Sequence, residues 1–147
     1  IFFCGNGGSA SDSQHLTSEL IGQFQKKRKS LKAISLNSDS SVITCVSNDF
    51  SYEEIFSRQL EGLANGKDIL IIISTSGESN NIINALIKAR ELKMTSIGFL
   101  GKGGGRAKNY WDKSIIIPSN STARIQEMHI LLGHIMCEII EDELGLN

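Results

Sequence analysis

Two pairs of side chains, far apart in the chain, carry the chemistry this sequence could do: His15 with Glu19, and Gln126 with His134. Four residues apart on a helix, His15 and Glu19 share one face. At about 100° per residue, His134 lies about 80° from Gln126 and about 140° from His129. Gln126 and His134 can therefore address a common site, and His129 cannot join them. Two imidazoles, a carboxylate and an amide oxygen make a first-row metal shell, with zinc the leading choice. The amide is an unusual zinc ligand, and the same groups suit proton transfer beside a carbonyl, with a carboxylate base and an imidazole acid. The residues alone leave both readings open.

Two further stretches have the composition of anion cradles. Gly5-Asn6-Gly7-Gly8-Ser9-Ala10 follows the short apolar run Ile1 to Cys4 and opens a helical pattern, so backbone N–H groups at the helix start face the strand end. Ser74-Thr75-Ser76-Gly77-Glu78-Ser79 leaves the most apolar run of the chain and opens a second helix at Asn80. Its hydroxyls and amides can surround a phosphate dianion without lysine or arginine, although an ordinary Ser/Thr turn with Ser79 as N-cap uses the same residues. No Lys-Ser or Lys-Thr pair follows either loop, which argues against triphosphate hydrolysis. Gly5-x-Gly7-x-x-Ala10 also meets a loose dinucleotide fingerprint. The acidic residue that should end the second strand is missing there, since that strand stops at Leu36 to Asn37 and the nearest acid is Asp39.

Positioning these loops requires strands that all end at one edge. Short apolar runs occur at Ile1 to Cys4, Ala33 to Leu36, Ile69 to Ser74, Ser96 to Leu100 and Ser114 to Ile117, separated by amphipathic stretches. Helices are predicted over Ser9 to Phe24, Ser40 to Val46, Tyr52 to Ala64, Asn80 to Leu92 and Ala123 to Leu144. The run Ile69-Leu70-Ile71-Ile72-Ile73 has no polar alternation, so both faces of its strand should be covered. The pattern predicts an α/β fold, a doubly wound parallel sheet of about five strands with helices on both faces.

At 147 residues the chain makes one domain, and 15 basic against 16 acidic residues give no field that would draw it to nucleic acid or to an acidic membrane. The basic cluster Lys26-Lys27-Arg28-Lys29 reads as a solvated loop, and Gly101-Lys102-Gly103-Gly104-Gly105 as a mobile turn. Three cysteines, Cys4, Cys45 and Cys137, sit singly in apolar surroundings and read as core residues of a reducing compartment. No apolar run approaches the ~20 residues of a membrane span, so a cytoplasmic protein is expected. The chain opens inside its first strand, where an outer covering element is expected to precede it.

Gly5-Asn6-Gly7-Gly8-Ser9 with Gln14-His15 and Glu19, then Asn48-Asp49, Ser74-Thr75-Ser76-Gly77 with Ser79, and Arg124-Ile125-Gln126-Glu127 with His129 and His134 together resemble the bacterial phosphoheptose isomerases, enzymes of the sugar isomerase (SIS) domain family. The likeness runs in order over essentially the whole chain. It implies a three-layer, flavodoxin-like fold and conversion of sedoheptulose 7-phosphate to D-glycero-D-manno-heptose 7-phosphate through an enediolate, for heptose and lipopolysaccharide synthesis. It also implies a homotetramer with sites between subunits, and one zinc ion held by His15, Glu19, Gln126 and His134. Carried over, Glu19 is the base and His134 its acid partner. Asn6, Gly7, Gly8, Ser9, Glu19, Ser74, Thr75, Ser76, Ser79 and Gln126 hold the substrate and its phosphate, while Asn48 and Asp49 meet the sugar hydroxyls. Family members usually carry a helical segment before the first strand. Many also have arginine where this chain has Gln23, a contact that Arg28 could replace, and some have an acid at Ala123. The reading from a different class is a noncatalytic SIS module that binds a sugar phosphate or a protein partner. Such modules lack the acid and base pair.

Overall fold

The computed structural model of the protein describes residues 1–145. Its five strands, β1 (Phe2–Gly5), β2 (Ile34–Ser35), β3 (Ile69–Ser74), β4 (Thr95–Gly101) and β5 (Lys113–Ile117), are all parallel and lie in the order β2-β1-β3-β4-β5. The chain moves outward from β1 to β2 and then returns past β1 to build β3. Strand order therefore reverses between β1 and β3, the switch point beside whose carboxyl ends such sheets form their ligand crevice. In register, Gly5 pairs with Ile73, so the loops that leave β1 and β3 start almost level.

Strand periodicity divides the core in two. Phe2, Cys4, Leu70 and Ile72 point to one face, where Leu60 and Leu86 of the helices α3 (Ser57–Leu63) and α4 (Asn80–Glu91) cover them. Phe3, Ile71, Ile73 and Phe99 point to the other, against Leu16 and Leu20 of α1 (Gly8–Ile21) and Cys137 of α5 (Thr122–Glu143). The result is three layers, with the helix that opens the fold and the helix that closes it side by side on one face. This pairing brings residues 119 apart in sequence into contact. Among the described residues, no helix is long and apolar enough to cross a membrane.

Four features differ from the sequence-based expectation. The stretch Tyr52 to Ala64 is two pieces, a 3-10 turn at Tyr52–Glu54 and then α3, because Ile55 and Phe56 are drawn into the core at 1% and 0% exposure. The helix α2 (Ser40–Asp49) runs beyond Val46 and is capped by Asp39, whose carboxylate accepts from the N–H groups of Ser41 and Val42. Cys45 is exposed on α2, with its Sγ against Asp49, while Cys4 and Cys137 are buried.

The basic cluster departs most. Arg28 and Glu141 form an ion pair at 2.7 Å with both side chains only 1% exposed. Glu141 also accepts from the N–H groups of Phe24, Gln25 and Lys26, and Arg28 donates to the carbonyls of Glu19 and Leu20. The loop after α1 is thus moulded around one carboxylate of α5. Arg28 is fully engaged there and does not take the place of an arginine at Gln23.

Candidate active site

The carboxyl ends of β1 and β3 are bound together before any ligand is considered. Asn6 and Asn81 exchange two amide hydrogen bonds of 2.9 Å, and Tyr52 Oη donates to Asn6 Oδ1 at 3.0 Å. Asn37, at the end of β2, clamps Gly5 by accepting from its N–H and donating to its carbonyl. These side chains fix the relative position of the two loops, and none of Asn37, Tyr52 or Asn81 stood out in the sequence. Asparagines near strand ends are common, and only the fold reveals their pairing.

On this base α1 and α5 bring their polar residues together. His15 Nε2 lies 2.9 Å from His134 Nε2, and Glu19 Oε1 lies 3.4 Å from His15 Nε2. The rings meet edge to face, and Phe24 stacks on the far side of His134 with centroids 5.4 Å apart and planes 24° from parallel. Gln126, two turns before His134, lies over the start of α1. The helical spacing of α5 thus delivers Gln126 and His134 to α1. His129 is turned inward instead, 0% exposed and against Phe99, with neither ring nitrogen in a well-formed hydrogen bond. Burial, only partly offset by the Leu100 backbone, pushes its pKa down.

Asp12 belongs to this cluster and was not singled out in the sequence. One turn before His15 on the same helix face, it has an Oδ2 that is buried without a partner. Burial raises its pKa, and the nearby His15 and His134 oppose that shift. The i, i+3 spacing was the signal that could have found it.

Two Nε2 atoms at hydrogen-bond distance cannot both carry a proton toward each other. Either they share one hydrogen, or both lone pairs face a cation. A tetrahedral zinc ion with bonds of about 2.0–2.1 Å spaces its donors by about 3.3 Å. The 3.4 Å separation of His15 and Glu19 matches this, and the histidine pair need open by only a few tenths of an ångström. Among the described residues no trio of His, Cys, Asp and Glu is already spaced as a closed centre. His15, Glu19 and His134 thus have the donor chemistry and the spacing for such an ion once the pair opens, while Gln126 lies at the start of α1 beside Gly8.

The serine loop divides its hydroxyls. Ser74 Oγ is buried and accepts from the N–H of Gly77, and Ser76 Oγ accepts from the N–H of Glu78, so both shape the turn. Ser79 precedes α4 without making a side-chain cap, which leaves its hydroxyl and the first-turn amides of α4 to a ligand. Thr75 is half-buried beside it. Across the crevice, α1 also starts without a side-chain cap, at Gly7, with Gly8 exposed and Ser9 buried. Asn48 and Asp49 are exposed at the end of α2, hydrogen-bonded to each other at 2.8 Å and three residues before Tyr52. The structure joins neither of them to the histidine pair.

Gly8 has a local consequence. A Cβ there would stand 2.5 Å from Gln126 Nε2, the mobile end of a side chain. Gly8→Ala is expected to keep or slightly raise the melting temperature, since alanine suits a helix better, while displacing Gln126 and lowering catalytic activity. A calorimetric scan beside an activity assay checks it; unchanged activity would remove Gln126 from the site.

The sequence profile of the SIS domain family matches residues 1–101. A phosphoheptose isomerase from a Nitratiruptor species is 52% identical over 97% of this chain and 76% of its own length. One from Clostridium acetobutylicum is 53% identical over 98% of this chain and 74% of its own. The solved structure of a phosphoheptose isomerase from Francisella tularensis superposes with a TM-score of 0.93 at 40% identity, covering 96% of this chain and 75% of that one. The chain belongs to the SIS domain family and, within it, to the phosphoheptose isomerases.

Proposed function

We propose that the protein interconverts sedoheptulose 7-phosphate and D-glycero-D-manno-heptose 7-phosphate, an aldose–ketose isomerisation that supplies heptose biosynthesis. The observation that carries this reading is the convergence of Glu19, His15 and His134 from two helices, beside the paired loops at the strand-order switch. The serine loop and the start of α4 hold the phosphate at one end of an open-chain sugar, and the first two carbons then extend toward α1 and α5. Glu19 takes a proton from C1 of the ketose while the C2 carbonyl oxygen gains one, giving an enediol. Loss of the O1 proton and return of the proton from Glu19 to C2 leave the aldose. The C–H bond lost at C1 is matched by the one formed at C2, and the proton gained at O2 is matched by the one lost from O1. The π bond moves from C2=O through C1=C2 to C1=O, so no external oxidant or reductant is needed.

His15, Glu19, Gln126 and His134 would hold one zinc ion. When bound, the metal supplies positive charge beside the carbonyl and the neighbouring hydroxyl. His134 offers a single Nε2 to the crevice, so it either donates the proton to the carbonyl oxygen or holds the metal, and it cannot do both at once. Formation of heptose 7-phosphate, assayed with added zinc and again with a chelator, tests the activity and tells these roles apart. Absence of product under both conditions would favour a noncatalytic binding module, a reading that leaves the Glu19 and His134 pair without purpose.

A homotetramer is part of this reading. An apolar stripe of Met128, Leu131, Ile135 and Ile139 is exposed along α5 and adjoins a cleft of about 270 Å³ against Ile115 of the edge strand. Such a surface on a lone domain marks an association site. Sedimentation at micromolar concentration is expected to show an assembly larger than a monomer; a strictly monomeric, active protein would contradict it.

A further inference from the structure

The crossover between β4 and β5 contains the glycine-rich turn Gly101 to Gly105, and it does not stand free of the rest of the fold. It folds into two 3-10 turns, Lys102–Gly104 and Arg106–Asn109, packed directly on the serine loop. A Cβ on Gly77 would collide with the carbonyl of Gly104, and one on Gly105 with the carbonyl of Ser76, so the two backbones touch where only glycine fits. The Gly77 carbonyl accepts from the N–H of Ala107 at 2.9 Å.

Arg106 closes this contact. Its backbone N–H donates to Glu78 Oε1 at 3.0 Å and its Nε–H to Glu78 Oε2 at 2.8 Å. Its Nη2 donates to the Glu78 carbonyl at 2.6 Å and to Asn80 Oδ1 at 2.8 Å. One guanidinium therefore grips the backbone of the serine loop, the side chain of that loop and the first residue of α4. Glu78 and Asn80 flank Ser79, the hydroxyl that the loop leaves uncommitted.

We propose that Arg106 is a positioning residue for phosphate recognition: with Glu78 it holds the loop from Ser76 to Asn80 in the shape that presents Ser79 and the amides of α4 to a phosphate. This inference rests on the functional reading above. As an ion pair the contact would contribute little, since Arg106 and Glu78 are 58% and 53% exposed. Its effect lies in geometry, because donors aimed at a bound anion lose value quickly when displaced. Lysine cannot reproduce a fork that meets a carboxylate, a carbonyl and an amide at once.

The test uses the full chain and two readouts: steady-state kinetics, and the rise in melting temperature produced by inorganic phosphate alone. Arg106→Met is expected to raise the KM for the ketose phosphate by about tenfold, the loss of roughly one charged hydrogen bond's worth of binding. Its kcat should fall much less, and the phosphate-induced stabilisation should shrink. Arg106→Lys should recover only part of both. A folded Arg106→Met protein with unaltered KM and unaltered response to phosphate would overturn the proposal, as would equal losses in KM and kcat that track lowered stability. If that variant does not fold, Glu78→Ala removes both carboxylate acceptors from the other side of the contact and is judged by the same results. A wild-type protein that responds to phosphate without isomerising the sugar would refute the functional reading and leave this inference to be decided by the phosphate response. A wild-type protein that does neither refutes both.

Discussion

Replacing Glu19 by glutamine is expected to give a folded protein whose turnover is lower by a factor of about 10²–10⁴, the usual contribution of a positioned general base. The substitution keeps shape and volume. Glu19 is 21% exposed and its carboxylate faces His15, so little of the packing depends on its charge. Its carbonyl, held by Arg28, is untouched by the change. The KM should therefore stay near that of the wild type, because the phosphate is held by the serine loop and the start of α4, away from Glu19. The pattern of kcat lost with KM retained identifies a group that acts in the transition state. Near-normal kcat would assign the proton transfer elsewhere, and Asp12, one turn before His15 with a buried unpartnered oxygen, would be the residue to test.

The second large effect lies away from the crevice. Arg28→Met leaves the Glu141 carboxylate buried without its cation, and breaking a buried pair from one side costs about 3–5 kcal/mol. Urea denaturation at neutral pH should show that loss, and a change below about 1 kcal/mol would mean that the pair is not buried in solution. The wild type should carry a matching pH signature. Burial would raise the pKa of Glu141, but the amides of Phe24, Gln25 and Lys26 and the Arg28 guanidinium outweigh it and hold the group down to about 2. A lowered carboxylate contributes stability above its ordinary value of 4.5 and loses it as pH falls toward 2. In Arg28→Met, part of that acid-sensitive window should move to higher pH.

Arg28 also shows what the sequence left hidden. A run of four basic residues reads as solvated by composition, and its partner stands 113 positions away on the last helix. The same blindness covers the glycine-rich crossover, whose fixed shape comes from contact with Gly77 and Glu78 rather than from its own residues. The split of the Tyr52 to Ala64 stretch has a similar origin, since Glu53 accepts from Asn80 and Tyr52 reaches Asn6, both on other elements. By contrast, all five strands were legible as short apolar runs, with β3 placed to the residue at Ile69–Ser74. The angular argument along α5 needed no tertiary knowledge: it groups His134 with Gln126 and sets His129 apart, and the structure then shows His129 buried against Phe99. That α5 would lie against α1 was a consequence of topology, and the resemblance to known isomerases supplied it before the fold did.

The central claim is that this crevice moves a proton between adjacent carbons of a phosphorylated ketose. Proton NMR of sedoheptulose 7-phosphate incubated with the protein in D₂O, with zinc supplied, tests it most directly. The expected result is appearance of the aldose phosphate with deuterium at C2 and loss of C1 proton signal from the remaining ketose, both abolished by Glu19→Gln. A folded wild-type protein that produces neither aldose nor exchange, or a Glu19→Gln variant that still produces both, would contradict it.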